Sequence, residues 1–501
     1  MRSSFWEMCA MVLYLVLVVG VGIYFFFKAR NKDGGEKEYF LGGRNMGGWV
    51  AALSAGASDM SAWVLMGLPG AIYLSGIGQV WISVGLLIGT VCAWVFVAPR
   101  LRRYSLVAND SITIPQFLIN RFMSDNKALQ IISAIVFVVV YCVYSASSIS
   151  ACGTLFNTVL GIEPSTAMIV ATVVIVLYTF LGGFNAVCWT DFFQGLIMLA
   201  ALMLAPIIAV FVMNSASFVA PAVELGDNYF NILSSGKLDW ESIASILTGL
   251  GWGLGYFGMP HILVRYISIK SEKEMKKSQL IGCIWILIIL AMASVVGIVG
   301  RQFIGDALTE GGKESLVFIN MVRTVFAFAP FIVGILLSAI LAASMSTADS
   351  QLLASSSAFA SDVYKSVIRK NASNKEMMWA GRIVVLIIAI IAFLIANSPE
   401  CKGIMALVEC AWAGFGSAFG PVIILALFWK RFTYSGAVAG ICTGFIVDAI
   451  WYIFLTDVTG LYEIIPGFIC GLIAAVVVSL ISKAPSKEVC DAFEAAKLPT
   501  E

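Results

Sequence analysis

The chain has 501 residues, of which 60% are hydrophobic and only 12% charged, and its net charge is +1. A soluble domain of average make-up is about half apolar and a quarter charged. This composition therefore asks for an apolar solvent as well as a core, and its charge gives no support to a nucleic-acid partner. No G-x-x-x-x-G-K-[ST] phosphate loop is present; the nearest approach, Gly311-Gly312-Lys313-Glu314, lacks the hydroxyl residue that would hold magnesium, which argues against ATP-driven work by this chain.

In chain order, thirteen apolar stretches are predicted to span a bilayer: 5–27, 46–74, 78–99, 127–155, 164–182, 185–214, 240–266, 275–304, 327–362, 376–397, 402–428, 433–456 and 461–482. A spanning helix needs about 20 mostly apolar residues. The first stretch is long enough to span, and no small-residue cleavage site follows it, so it does not read as a removable signal. With the N-terminus outside, the inner joints are 28–45, 99–127, 183–185, 265–277, 363–375, 429–432 and the tail. They carry 24 of the 31 Lys and Arg residues, the outer segments carry six, and Arg382 lies within a span. This asymmetry follows the positive-inside rule and places the tail in the cytoplasm. The tail, 483–501, is short and polar, with no room for a catalytic domain. The 11 cysteines are scattered singly and form no C-x-x-C pair, so they read as small packing residues.

Two spans make poor continuous helices. The second reads Ser54-Ala-Gly-Ala-Ser-Asp-Met-Ser-Ala-Trp63 and then Gly67-Leu-Pro-Gly70. The seventh runs from Gly249 through Trp252, Gly255 and Gly258 to Pro260-His261. In a helix interior Gly costs about 1 kcal/mol and Pro about 3. Gly is also common in membrane helices simply because it lets them pack closely. Two such clusters five spans apart, however, point to an inverted-repeat transporter with interrupted helices at matching positions. Spans two to six and seven to eleven would then be the halves. Irregular backbone at membrane depth is tolerable where it lines a cavity; its freed carbonyls suit a hard cation and its freed amides a carboxylate.

The ninth span adds hydroxyls beside small residues, in Ala343-Ser344-Met345-Ser346-Thr347-Ala348-Asp349-Ser350. They suit a dehydrated cation, or they bond their own helix. Asp59, Asp191 and Asp349 sit within or at the edge of spans, where a carboxylate costs roughly 2.5–3.5 kcal/mol. Asp59 lies in the break and reads as a direct or indirect sodium group or as a cap on freed amides. Asp191 reads as a cation exit ligand or an interfacial cap, and Asp349 as a further ligand about one turn below Ser346. Glu409 reads as an interfacial charge. His261, the only histidine, could relay protons or satisfy freed backbone groups. Trp63, Tyr144, Trp252 and Tyr256 are candidates for the walls of an apolar pocket.

Three strings carry a resemblance: Ser54-Ala-Gly-Ala-Ser-Asp-Met-Ser61 with Gly67-Leu-Pro-Gly70, Gly251-Trp-Gly-Leu-Gly-Tyr-Phe-Gly258 with Pro260-His261, and Leu337-Ser-Ala-Ile-Leu-Ala-Ala343 with Met345-Ser-Thr347. Ala411-Trp-Ala-Gly-Phe-Gly416 and Tyr462-Glu-Ile-Ile-Pro-Gly-Phe468 extend it from about Tyr39 to Pro485. On these residues the chain resembles the sodium/solute symporter family, most of all its proline-carrying members. The resemblance implies an all-α membrane protein of the bacterial cytoplasmic membrane, a single transporter domain with a five-plus-five inverted repeat. The repeats would cover 46–214 and 240–428, with extra helices at 5–27, 433–456 and 461–482.

It also implies a sodium site made by the carbonyls of Ala57, Met60 and Ala343 and the hydroxyls of Ser346 and Thr347, with Asp59 needed for coupling. Ser61, Trp63, Tyr144, Trp252, Tyr256 and Pro260 would line or shape a pocket for L-proline. A second sodium site would fall at Asp191, Ser346, Asp349 and Ser350. Ala62, Met259 and Asp349 depart from the family's pattern, where Gly, Gln and a neutral residue are expected. The expected activity is sodium-driven uptake of L-proline, with no enzyme chemistry and no obligate protein partner. The alternatives are another small amino acid or carboxylate, a transporter-like sensor, or a membrane enzyme, for which no convergent catalytic set is present.

Overall fold

The computed structural model describes residues 2–30, 36–216 and 218–498. Residues 31–35, which include Lys32 of the first basic joint, and the last three residues of the tail lie outside them. Among the described residues everything regular is helical; the β geometry is limited to one isolated parallel bridge between Met46 and Ile269. In chain order the main helices are α1 (Arg2–Arg30), α2 (Gly48–Asp59), α3 (Gly67–Ser75), α4 (Val80–Cys92), α5 (Ala128–Leu160), α6 (Pro164–Met213), α7 (Trp240–Gly251) and α8 (Pro260–Ser268). Then follow α9 (Glu272–Ile304), α10 (Pro330–Ser357), α11 (Asn374–Ala396), α12 (Ile404–Phe428), α13 (Tyr434–Phe454), α14 (Ile464–Ile481) and α15 (Lys487–Ala495).

Ten helical segments among the described residues are long and apolar enough to cross a membrane. The expected spans outside those ten are 46–74, 164–182 and 240–266. The first and last are the two Gly-rich segments, and each is broken into two half-helices. The middle one is the first part of α6. There the expected joint at 183–185 reduces to a single residue, Gly183, whose φ of +60° and ψ of 177° need glycine's freedom. The helix is thus bent and not interrupted by a loop.

Polar residues start the helices where the chain leaves the apolar zone. Asp239 accepts from the Ser242 N–H at the head of α7, Ser271 from Glu274 at the head of α9, and Thr433 from Gly436 at the head of α13. Ser373 and Glu376 form a capping box at the head of α11. Each cap satisfies amides that lipid cannot. Inside the bundle, glycines let backbones approach: a Cβ on Gly85 of α4 would lie 2.7 Å from the Leu250 Cα in α7. The helices sort by burial. In the most apolar window of Ile404–Phe428 89% of residues are buried, and in that of Pro330–Lys365 83%; for Ser4–Phe25 and Tyr434–Phe454 the share is 28%. So α10 and α12 are central, while α1 and α13 turn apolar faces such as Val16 and Ile453 outward, as lipid contact requires.

The basic joints gather at one end. Arg44 bonds Asp110 (2.8 Å), the Ile267 carbonyl (2.9 Å) and the Ser111 carbonyl (2.7 Å). Arg102 bonds the carbonyls of Ile269 (2.7 Å) and Lys270 (2.8 Å). The short helix α15 lies against this end, with Phe493 under Arg100 and Arg121 and with Glu494 paired to Lys430 at 3.1 Å. Bonds from Lys497 and Lys430 hold the Glu494 carboxyl below the usual range. The Met46 N–H donates to the Ser268 carbonyl (3.1 Å) and the Lys270 N–H to the Met46 carbonyl (3.0 Å). The start of the first broken helix is thereby tied to the end of the second, and the two run in opposite directions through the bundle.

Candidate functional site

The first break follows α2. Met60 leaves helical geometry (ψ 42°) and Ser61 turns the chain (φ −34°, ψ −171°) before a tight turn over Ala62–Val64. The last carbonyls of a helix lack intrahelical partners, and they carry the negative end of its dipole. In α2 the Gly56 carbonyl is taken by the Met60 N–H (2.9 Å) and that of Asp59 by the Ser61 N–H (2.9 Å). The Ala57 carbonyl instead meets Ser346 Oγ of α10 at 2.9 Å, and the same hydroxyl lies 3.1 Å from the Ala343 carbonyl. A hydroxyl has one proton, so it can serve only one of those two carbonyls at a time. Thr347 Oγ1, on the next residue, is buried and has no hydrogen-bond partner among the described residues. Three of the five residues expected around sodium, Ala57, Ala343 and Ser346, thus meet in an oxygen-rich cluster with one proton between two carbonyls, while Thr347 is the next residue of α10 and Met60 sits at the adjoining helix end. Oxygen ligands of this kind suit hard cations.

Asp59 is fully buried but turns elsewhere. One of its carboxylate oxygens accepts from the Tyr256 hydroxyl; the other, Oδ1, has no hydrogen bond among the described residues. The Tyr144 hydroxyl reaches the Asp59 carbonyl at 3.4 Å. Asp59 therefore ties the break of α2 to two of the expected pocket residues, and it does not meet Ser346 directly. Ser61 caps the turn that follows it, accepting from the Trp63 N–H at 3.5 Å.

The second break runs from α7 through a tight helical stretch, Trp252–Phe257, to extended Met259 (φ −75°, ψ 108°) and Pro260 at the first turn of α8. Proline suits that position because its missing N–H would be unpaired there anyway. Trp252 is fully buried in an aromatic layer, with ring centroids 5.5 Å from Trp63, 5.5 Å from Tyr462 and 6.4 Å from Trp412. Tyr256 lies 5.2 Å from Trp412. The Trp412 indole donates to the Trp252 carbonyl at 2.7 Å. Trp412 and Tyr462 belong to this layer and escaped selection from the sequence, although both stand in the strings that carry the resemblance. Pro260 lies on the other side, with His261, lining a small cleft. His261 Nδ1 is 3.4 Å from the Tyr141 hydroxyl.

Asp191, Asp349 and Ser350 are also brought together, around a residue the sequence reading assigned to the joint 265–277. Arg265 is 2% exposed. Its guanidinium pairs with Asp191 Oδ2 at 3.0 Å and donates to Ser54 Oγ (2.9 Å), the His261 carbonyl (2.6 Å) and Ser350 Oγ. Ser54 also donates to Asp191 (2.7 Å), and Ser350 Oγ lies 3.3 Å from Asp349 Oδ1. Arg265 lies five residues beyond Pro260, within α8, and that helix must re-enter the bundle; this was the available signal. Glu409 contributes its carbonyl to the Tyr462 hydroxyl at 2.8 Å.

Two opposed broken helices around a proton-poor oxygen cluster, with an aromatic layer beside it, define a cation-coupled secondary transporter of the inverted-repeat fold. The chain belongs to the sodium:solute symporter family, whose model matches residues 39–444. It is 43% identical over 480 residues to the high-affinity proline transporter PutP of Bacillus subtilis, covering 95% of this chain and 98% of that one. It is 40% identical to a sodium/proline symporter of Haemophilus influenzae (97% and 96% covered) and 41% identical to one of Escherichia coli (95% and 93%). Among solved structures, a substrate-bound, outward-open Na+-coupled sialic acid symporter superposes with a TM-score of 0.77 at 20% identity, over 96% of this chain and 99% of that one. Mhp1, a nucleobase-cation-symport-1 family transporter, does so with 0.57 at 12% identity, over 91% and 98%. At those identities the likeness establishes the fold alone.

Proposed function

We propose that this chain takes up L-proline across a bacterial cytoplasmic membrane, driven by sodium entry, through alternating access in a single domain of thirteen spans. The observation that carries the reading is the meeting of Ser346 Oγ with the Ala57 and Ala343 carbonyls. Sodium takes over from the Ser346 hydrogen bond as the bridge between α2 and α10, the hydroxyl keeping its proton and offering a lone pair; the carbonyls of Ala57, Met60 and Ala343 and the hydroxyls of Ser346 and Thr347 hold it. Asp59 couples that position to the solute through Tyr256 and Tyr144. Ser61, Trp63 and Trp252 bound the solute from the aromatic layer, and Pro260 bounds it from the cleft side. The repeats cover 46–214 and 240–428. The end bearing the basic joints and α15 faces the cytoplasm, as the distribution of Lys and Arg argues, and the N-terminus lies outside. The work is transport and not catalysis.

The energetics suffice. At 100 mV each entering sodium gains about 2.3 kcal/mol, and a tenfold gradient adds about 1.4. Together these support accumulation of a neutral zwitterion by roughly a few hundredfold. Proteoliposomes holding the purified chain test this: an inward sodium gradient accumulates L-proline, and lithium or a proton gradient alone does not. Equal accumulation without sodium, or none of proline but uptake of another small carboxylate, refutes the reading.

A further inference from the structure

Arg265 is absent from the roles above, yet among the described residues it is set amid carboxylates and hydroxyls of the central helices. Its guanidinium meets oxygens of three kinds: the Asp191 carboxylate (3.0 Å), the His261 carbonyl (2.6 Å), and the hydroxyls of Ser54 (2.9 Å) and Ser350. Carboxylate, carbonyl and hydroxyl oxygens are the donor set a hard metal cation takes. Ser350 lies four residues beyond Ser346 on α10, about 6 Å further along the helix. Asp349 stands beside it, in reach of Ser350 at 3.3 Å. The guanidinium thus sits among oxygens of that kind about one turn along α10 from the Ser346 cluster.

We infer that Arg265 is a tethered cation that occupies the place of a second sodium ion and so limits the chain to one bound sodium. This rests on the sodium-coupled reading of the Ser346 cluster. An arginine stays charged at every working pH, so its hold on Asp191 does not vary with the sodium concentration. Removing one partner of a buried ion pair leaves an uncompensated charge at high cost. In Arg265→Gln the Asp191 carboxylate loses that partner, and sodium supplies the missing charge. Arg265 and Ser350 line the same small cleft as Pro260 and His261.

The test is equilibrium binding of radioactive sodium to the purified full-length chain, with and without L-proline. The wild type binds one sodium per chain and Arg265→Gln binds two. Arg265→Lys, which keeps the charge, binds one, and Arg265→Gln with Asp191→Asn returns to one. Two sodium ions on the wild type overturn the assignment without any variant. So does a single ion on an Arg265→Gln chain that elutes as a monodisperse species. No sodium on the wild type overturns both this assignment and the proposed coupling. The predicted counts with a sodium affinity that proline leaves unchanged would instead refute the proline reading alone and leave the role of Arg265 standing.

Discussion

The two broken helices look alike as strings of glycine around a gap, but they serve the site with opposite chemistry. The first, α2 to α3, ends a helix in the centre of the bundle and so presents carbonyls; one of them, from Ala57, finds its partner on Ser346 at 2.9 Å. The second, α7 to α8, fills its gap with a tight helical stretch, gives its Trp252 carbonyl to the Trp412 indole and presents side chains: Trp252 and Tyr256 on one side, His261 and Arg265 on the other. A break that ends a helix at its C-terminus attracts a mobile cation. A break that begins a helix at proline sets up a scaffold for fixed groups. The Tyr256–Asp59 hydrogen bond joins the two.

Substitutions break this comparison in a graded way. The largest effect is expected from Ser346→Ala with Thr347→Ala. Each buried hydroxyl costs about 1–3 kcal/mol when its partner loses it, so together they raise the sodium concentration for half-maximal uptake by about thirtyfold or more, read from sodium-titrated proline uptake. Next is Tyr256→Phe, which removes the bond between the breaks. A hydrogen bond to a charged group contributes about 1.5–3 kcal/mol, and the loss weakens sodium and proline together by about ten- to a hundredfold. A change confined to proline would mean that Tyr256 serves the pocket alone. Trp252→Leu tests the aromatic layer from the other side. It loses stacking worth about 0.5–1.5 kcal/mol, so the KM for proline rises by roughly two- to tenfold, with the sodium dependence little changed. The smallest effect is expected at Ala62, fully buried in the turn after the first break. Ala62→Gly restores the residue of the family pattern and costs about 0.5–1 kcal/mol in backbone freedom, seen as a slightly lower Tm with uptake retained.

Much of this arrangement was legible in the chain, for identifiable reasons. Apolar length marked the spans, and the two Gly/Pro clusters marked the breaks because a helix interior tolerates neither residue well. The hydroxyls at Ser346 and Thr347 stood out against small apolar neighbours. Three things were not legible. The joint at 183–185 reads as a loop, but a single left-handed glycine makes the bend. Asp59 lies in the first break, yet which way its side chain turns depends on Tyr256, 197 positions away. Arg265 stands at the end of a span, where the charge count takes it for a joint residue; only its contact with Asp191, 74 positions earlier, shows it to be internal. Partners so far apart in sequence leave no local pattern.

The most direct test of the central claim is the reciprocal effect of the two solutes on each other's binding. Linkage requires that sodium raise proline affinity by the same factor by which proline raises sodium affinity. Measured by equilibrium binding to the purified chain, the account predicts equal factors in the wild type, and their collapse to one in Ser346→Ala with Thr347→Ala. Proline binding to the wild type that is indifferent to sodium, or a coupling that survives the double substitution intact, would contradict it.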